Sequence, residues 1–175
     1  MKIKEITINE LETERLILVP FTIDICENML YNDFNMLYDK GFVKGKDWPD
    51  KDMMDTVPKI IQKLLIHNYV TGFESWMIIR KDTKEIIGDV GFKGYNTEEQ
   101  SVDIGYGIIR KERRKGFAEE ACRGLIKWAF SQGIVKEITA KSFSDNVKSI
   151  NLLKKLGFEK IFEYKEFVYW SLIQS

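Results

Sequence analysis

Residues 110–115 read RKERRK, five basic side chains in six positions, and Gly116 with a run of helix formers follows directly. Such a loop can hold an anion. The first backbone amides of a helix have no carbonyl partner and sit at the positive end of the helix dipole, so phosphate oxygens are natural ligands there. Gly116 lets the main chain come close to a ligand or take a positive φ, and Ala118 keeps the next approach uncluttered. Arg113, Arg114 and Lys115 add mobile charge around the same point. A solvated basic connection and a nucleic-acid patch are the competing readings. Just upstream, the period-two alternation of SVDIGYGI (101–108) puts Asp103, Gly105 and Gly107 on one strand face, with no side chain beyond Asp103 to block access. Asp103 is therefore a candidate base, or else an ordinary strand carboxylate that is solvated or ion-paired. Downstream, Asn146 and Ser149 stand three apart, on one face of a helix whose first turn Asn146 can cap.

Composition removes several other chemistries. His67 is the one histidine, which rules out histidine-clustered metal sites and argues against a Ser-His-Asp triad; no metal is expected. Two cysteines, Cys26 and Cys122, far apart in sequence, support neither a disulfide framework nor a zinc site and fit a reducing cytoplasm. With 27 basic and 27 acidic residues the net charge is zero, so the chain lacks the footprint of a protein that grips nucleic acid through phosphates. The amino-terminal MKIKEITINELETERLILV has scattered charges and no apolar stretch of signal-peptide length, and nothing later approaches a membrane span. A soluble cytoplasmic protein of one domain, residues 1–175, is the expectation.

The elements that must position these residues are readable from periodicity. TERLILVPF (13–21) is a strand ending at Pro20. Apolar residues from Ile23 to Val70 recur at three- and four-residue intervals, predicting short helices broken by GKDWPD (45–50) and again by Pro58. SWMIIR (75–80), EIIGDVGFKGY (85–95) and SVDIGYGII (101–109) predict an antiparallel meander. A helix follows from Phe117 to about Phe130, with Gly133 as a stop; KEITAKSF (136–143) is a strand, and NVKSINLLKKLG (146–157) is an amphipathic helix closed by Gly157. Two strands around Glu163 to Glu166 end the chain. Strand, helix, strand order in this half requires at least one parallel pair, so the sheet is mixed.

DIGYGIIRKERRKGFAEEA resembles the acyl-coenzyme A signature of the GNAT N-acetyltransferase superfamily, whose Arg/Gln-x-x-Gly-x-Gly/Ala pattern RRKGFA (113–118) satisfies. LETERLILVPF, IGDVGFKG (87–94), IGYGI (104–108) and SDNVKSINLLKKLGFEKI (144–161) are similar, in the same order, to the branch containing the ribosomal-protein N-terminal acetyltransferases; residues 23–70 are least alike. The resemblance implies an α/β acyl-CoA N-acyltransferase fold, mostly antiparallel, with a splay between the third meander strand and the strand at 136–143. It implies acetyl-CoA as cosubstrate, its pyrophosphate on the amides of 114–118 (Arg114, Lys115, Gly116, Phe117, Ala118) beside Arg113, and its pantetheine arm along Gly107 and Ile108. Asn146 would hold that arm and Ser149 protonate the departing thiolate.

A neutral amine attacks a thioester directly, so no enzyme nucleophile is required, but an ammonium must first lose its proton, and Asp103 is the carboxylate offered. Three positions depart from the family pattern: Arg110 where proline is frequent, Arg114 where glycine is common, and Lys141 where some relatives carry a glutamate base. Trp48 could wall an acceptor pocket or pin its loop. The aromatic strip Phe162, Tyr164, Phe167, Tyr169 and Trp170 could cover that pocket or form a hairpin core. The function expected is acetyl transfer to a primary amine, of a small molecule or a protein amino terminus, with a noncatalytic acyl-CoA sensor as the alternative. No nucleic-acid or membrane partner is expected; a second copy of the chain is a candidate partner.

Overall fold

The alternating apolar runs in mid-chain become a meander because each puts one side chain in two against a helix layer. In the computed structural model, which describes residues 3–6 and 9–174, these strands are β4 (Ser75–Arg80), β5 (Glu85–Asn96) and β6 (Ser101–Ile108). The outer limits of the domain expected over 1–175 lie outside the described residues. Before the meander come β1 (Leu11–Glu12), β2 (Leu16–Pro20), α1 (Ile23–Leu30), α2 (Asn35–Asp39), β3 (Val43–Lys44) and α3 (Lys51–His67). After it come α4 (Phe117–Ser131), β7 (Glu137–Phe143), α5 (Val147–Lys155), β8 (Glu159–Tyr164) and β9 (Phe167–Ile173). The described strands form one sheet in the order β1-β2-β4-β5-β6-β7-β9-β8, with β3 added to β5. All pairs are antiparallel except β3 with β5 and β6 with β7, which gives the mixed sheet expected.

Two expectations needed correction. The first strand begins at Leu16 rather than Thr13, because the Thr13 hydroxyl accepts from the Leu16 amide (3.1 Å) and turns the chain back toward β1. Pro58 does not break the helical region; it lies inside the 17-residue α3. A proline there removes one hydrogen bond, to the carbonyl of Met54, but Pro58 is exposed, so water can serve that carbonyl. Met53, Val57, Ile60 and Leu64 on the buried face hold the helix to the sheet regardless. Each such side chain contributes roughly 1.5–3 kcal/mol on burial, enough to outweigh a proline penalty of about 3 kcal/mol.

The sheet's two faces carry different helices. Trp76 pairs with Val90 and packs edge-on against Trp128 (5.4 Å between centroids), so α4 covers the face carrying Trp76 and Val90. The opposite face carries Asp89, Gly91 and Lys93 on β5, and α3 lies on that side: Met53 and Thr56 line the same cavity as Asp89 and Gly91. One strand pair is incomplete. β6 pairs with β7 through only Ser101, Val102 and Asp103, opposite Glu137, Ile138 and Thr139, after which the two strands diverge. β7 continues for its whole length with β9.

Pro58→Ala restores the missing amide on an exposed helix face. It is expected to raise unfolding free energy by about 1–2 kcal/mol, less than the full propensity difference because proline also restricts the unfolded chain. Urea unfolding followed by circular dichroism measures it; an unchanged or lower midpoint would mean that α3 is built around a kink.

Candidate active site

Beyond Asp103, β6 has no partner on its β7 side. The Ile109 amide donates to Ile87 (2.9 Å), so the alternation turns odd-numbered residues of β6 toward β5 and leaves the backbone groups of Ile104, Tyr106 and Ile108 facing the gap. Nε of Arg113 donates to the Ile108 carbonyl (2.8 Å), which closes the end of that edge. An open strand edge of this kind pairs with an extended amide chain.

The chain leaves β6 through a short 3₁₀ turn, Arg110–Glu112, and enters α4 behind Gly116. Arg114 (φ 64°) and Gly116 (φ 82°) are both left-handed. That explains why glycine suits position 114: arginine is held there against its steric preference. The main-chain N–H groups of Arg114 through Glu119 donate to no acceptor among the described residues, and the first α4 bond to be closed runs from the Glu120 amide to the Gly116 carbonyl (3.1 Å). These amides front a cavity of about 680 Å³ whose lining includes Arg114, Gly116, Ala118, Asn146, Ser149 and Lys155.

The basic side chains are exposed, but three of the five bond to other groups of the protein. Lys111 pairs with Glu85 (2.6 Å) and Lys115 with Glu112 (3.0 Å), while Arg113 holds Ile108. Glu112 is 5% exposed and also receives Arg80 (3.3 Å). A second carboxylate anchors the same turn from the helix side. Glu120 accepts from the Thr13 hydroxyl (2.6 Å) and from the Arg15 amide and Nε (both 2.7 Å), and Arg15 reaches on to the Lys115 carbonyl (2.9 Å). Burial alone would raise the Glu120 pKa, but these hydrogen bonds outweigh it and leave the group below its ordinary value. Arg114 has no side-chain partner among the described residues and fronts the cavity.

Asn146 caps α5, its Oδ1 accepting from the Ser149 amide (3.1 Å). The Tyr106 hydroxyl donates to Ser149 Oγ (3.3 Å), so β6 and α5 are joined across the mouth of the splay. Burial raises the Tyr106 pKa, with the Ser149 bond partly opposing. The structure thus brings Gly107, Ile108, residues 113–118, Asn146 and Ser149 around one cavity, all except Lys115 among its lining residues.

Tyr106, Gly107, Ile108 and Arg113 also line a second cavity of about 400 Å³ on the α3 side. Asp103 is not part of it. That carboxylate is bound by Lys93 Nζ (2.5 Å) and the Thr139 hydroxyl (2.9 Å) at the base of the splay and lines a neighbouring cavity of about 350 Å³. The unassigned carboxylate in the 400 Å³ cavity is Asp89. It stands opposite Gly107, with Oδ1 3.4 Å from where a Gly107 Cβ would be, and accepts no hydrogen bond among the described residues. Burial, with a further push from the Asp50 charge, lifts its pKa to about 7. Asp89 and Tyr106 were not singled out from the sequence. The available signal for Asp89 was a lone acid inside IIGDVGF, where every neighbour is apolar or glycine. Trp48 combines its two readings: it lines this cavity and packs edge-on to Phe34 (6.2 Å). The aromatic strip belongs to the β8–β9 hairpin, with Phe162 stacked on Tyr169 (4.3 Å) and Trp170 bonded to Ser142 (2.9 Å); none of its members lines a cavity described above.

A strand splayed from its parallel neighbour, followed by a turn of unpaired amides at a helix start, defines the acyl-CoA N-acyltransferase fold. Residues 15–159 match the acetyltransferase (GNAT) domain model, and the chain belongs to that family. It is 36% identical over 162 residues to the uncharacterized N-acetyltransferase YjdG of Bacillus subtilis, covering 91% of this chain and 96% of that protein. Its fold is that of RimL, a ribosomal L7/L12 alpha-N-protein acetyltransferase solved with coenzyme A (TM-score 0.68, 15% identity, 94% and 97% coverage). An acetyltransferase of Agrobacterium tumefaciens is similarly related (TM-score 0.67, 20% identity, 99% of both chains). No helix among the described residues is long and apolar enough to cross a membrane.

The β5–β6 register at the splay depends on Gly88. A Cβ there would stand 2.1 Å from the Gly107 carbonyl oxygen and 3.1 Å from Ile108 Cα, both backbone. Gly88→Ala is expected to cost at least about 2 kcal/mol of stability and to weaken coenzyme A binding at least tenfold, as read by urea unfolding and calorimetry. Wild-type behaviour in both would refute the close approach.

Proposed function

We propose that the chain transfers the acetyl group of acetyl-CoA to a primary amine by direct attack. The observation that carries this is that two cavities border the same residues: the one fronted by free amides and the one holding Asp89 share Tyr106, Gly107, Ile108 and Arg113 at the strand splay. Acetyl-CoA supplies a thioester carbonyl as electrophile and a thiolate as leaving group. Residues 114–118, with Arg113, bind its diphosphate; Asn146 and the open edge at Tyr106 and the Ile108 amide, beside Gly107, hold the pantetheine arm. Together they orient the acetyl group toward the α3 side, and such orientation can supply a large part of a rate enhancement.

Asp89 is the better base of the two carboxylates. A primary ammonium, with a reference pKa of about 10.4, has to give up its proton before nitrogen can attack. A base poised near neutrality takes that proton efficiently, and the Asp89 carboxylate is unpartnered where Asp103 is occupied by Lys93 and Thr139. Asp103 instead sets the point where β6 and β7 part. As the carbon–nitrogen bond forms and the carbon–sulfur bond breaks, the linked hydroxyls of Tyr106 and Ser149 can return a proton to sulfur. Asp89 also weakens the case for a noncatalytic sensor, which rested on the lack of a suitable base.

Acetyl-CoA and a panel of amines, followed by thiol release, test the reaction: acceptor-dependent release supports it, and coenzyme A binding without such release favours the sensor. Asp89→Asn is expected to lower kcat/KM about 10²- to 10⁴-fold with coenzyme A affinity unchanged. In the wild type kcat/KM should fall as pH drops through about 7, because only the carboxylate accepts a proton. Stability runs the other way. The folded pKa lies above the unfolded value of about 3.9, so burying the carboxylate costs stability progressively as pH rises from about 4 to about 7. Asp89→Asn should therefore melt no lower than wild type at pH 8, its relative stability growing from pH 5 to pH 8. A melting temperature that fell at pH 8 would give Asp89 a structural role.

A further inference from the structure

Three carboxylates converge on the 400 Å³ cavity: Asp89 on β5, and Asp50 and Asp52 at the start of α3. Asp50 uses one oxygen to cap the helix, accepting from the Met53 amide (2.9 Å), while the Asp52 side chain has no partner among the described residues. Of the cations on the same wall, Lys93 is paired with Asp103, and Arg113, which also lines the 680 Å³ cavity, donates to the Ile108 carbonyl. Acidic residues in a first helical turn are ordinary in themselves, since they complement the helix dipole. A second observation sets this group apart, because Asp89 lies on a different element, partly buried, aimed past Gly107 toward the splay, and lacks any hydrogen-bond donor. An unpaired, partly buried carboxylate calls for a cationic or proton-donating partner.

We infer that the acceptor is a small aliphatic amine carrying a second cationic centre: one nitrogen is delivered to Asp89 beside Gly107, and the other ammonium is held by Asp52 and Asp50 at the cavity's outer end. This rests on the acetyl-transfer reading and deepens it by naming the substrate class. Trp48 and Met53 on the walls suit the methylene chain between the two nitrogens. The same field disfavours acceptors bearing a carboxylate near the amine, free amino acids included.

The test compares three acceptors of matched length, 1,5-diaminopentane, pentylamine and 5-aminopentanoate, by kcat/KM for thiol release at pH 8 and by calorimetric binding to the coenzyme A complex. The diamine is expected to exceed pentylamine about tenfold and 5-aminopentanoate about a hundredfold, mostly through KM. Asp52→Asn, and Asp50→Ser, which keeps a capping oxygen while removing the charge, should each reduce the diamine-to-pentylamine ratio to below about threefold. Equal values for the three amines, a preference for 5-aminopentanoate or for a peptide amino terminus, or a ratio unchanged in both variants would overturn the inference while leaving acetyl transfer intact. If no amine releases thiol, the enzymatic reading fails, and calorimetry still decides the subsite: diamine binding weakened by Asp52→Asn supports it, and absence of binding removes it.

Discussion

The site exists because β6 stops pairing with β7 after three residues. A central strand normally has its backbone polar groups satisfied on both sides, and leaving such groups without partners costs free energy unless a ligand or water takes them. Here Ile104, Tyr106 and Ile108 present theirs to a gap, while the rest of the sheet compensates around it: β6 pairs with β5 on its other side apart from an irregularity opposite Asp103, and β7 pairs with β9 along its whole length. Asp103 and Thr139 mark the last closed rung, and their side chains bond directly (2.9 Å), with Lys93 closing the group from β5. Asp103, the base candidate offered by the sequence, is thus bonded at the rung where the strands part.

The same economy governs the turn after β6. Three of its exposed basic side chains bond back to Glu85, Glu112 and the Ile108 carbonyl, so the run RKERRK helps to fix backbone direction. Glu112 and Glu120 clamp the turn from opposite sides, and the arginines they hold, Arg80 and Arg15, both lie against the Phe117 ring (5.5 and 4.5 Å). Held this way, residues 114–119 keep their amides unpaired, which is the costly arrangement an anion repays.

Much of this was legible from local pattern. The meander, α4, β7, α5 and the closing hairpin follow from periods of two and 3.6 residues, and the signature around Gly116 located the loop. What escaped was decided by contacts between segments distant in sequence. Pro58 reads as a breaker because local propensity cannot register that its face is solvent and that Val57 and Ile60 beside it are anchored in the core. Asp103 and Asp89 are indistinguishable as strand carboxylates. Their difference lies in Lys93 and Thr139 reaching one while nothing reaches the other, and β7 is joined to the meander only through a crossover of more than two dozen residues. Residues 23–70, where the family resemblance fades, supply Trp48, Asp50 and Asp52 to the 400 Å³ cavity.

A net charge of zero conceals a separation of charge that matters more than the sum. Basic side chains and free amides gather at the α4 end of the splay, and uncompensated carboxylates gather across it at the start of α3. The first field favours a polyphosphate and the second an ammonium group, and each would repel the other's ligand. The two cavities meet only at Tyr106, Gly107, Ile108 and Arg113, so the region between the opposed fields is one strand wide, and two residues with missing side chains, Gly105 and Gly107, keep its acceptor face clear. Opposed fields on either side of one opening suit two oppositely charged ligands, and direct transfer between ligands so placed would require no side chain to form a bond to either.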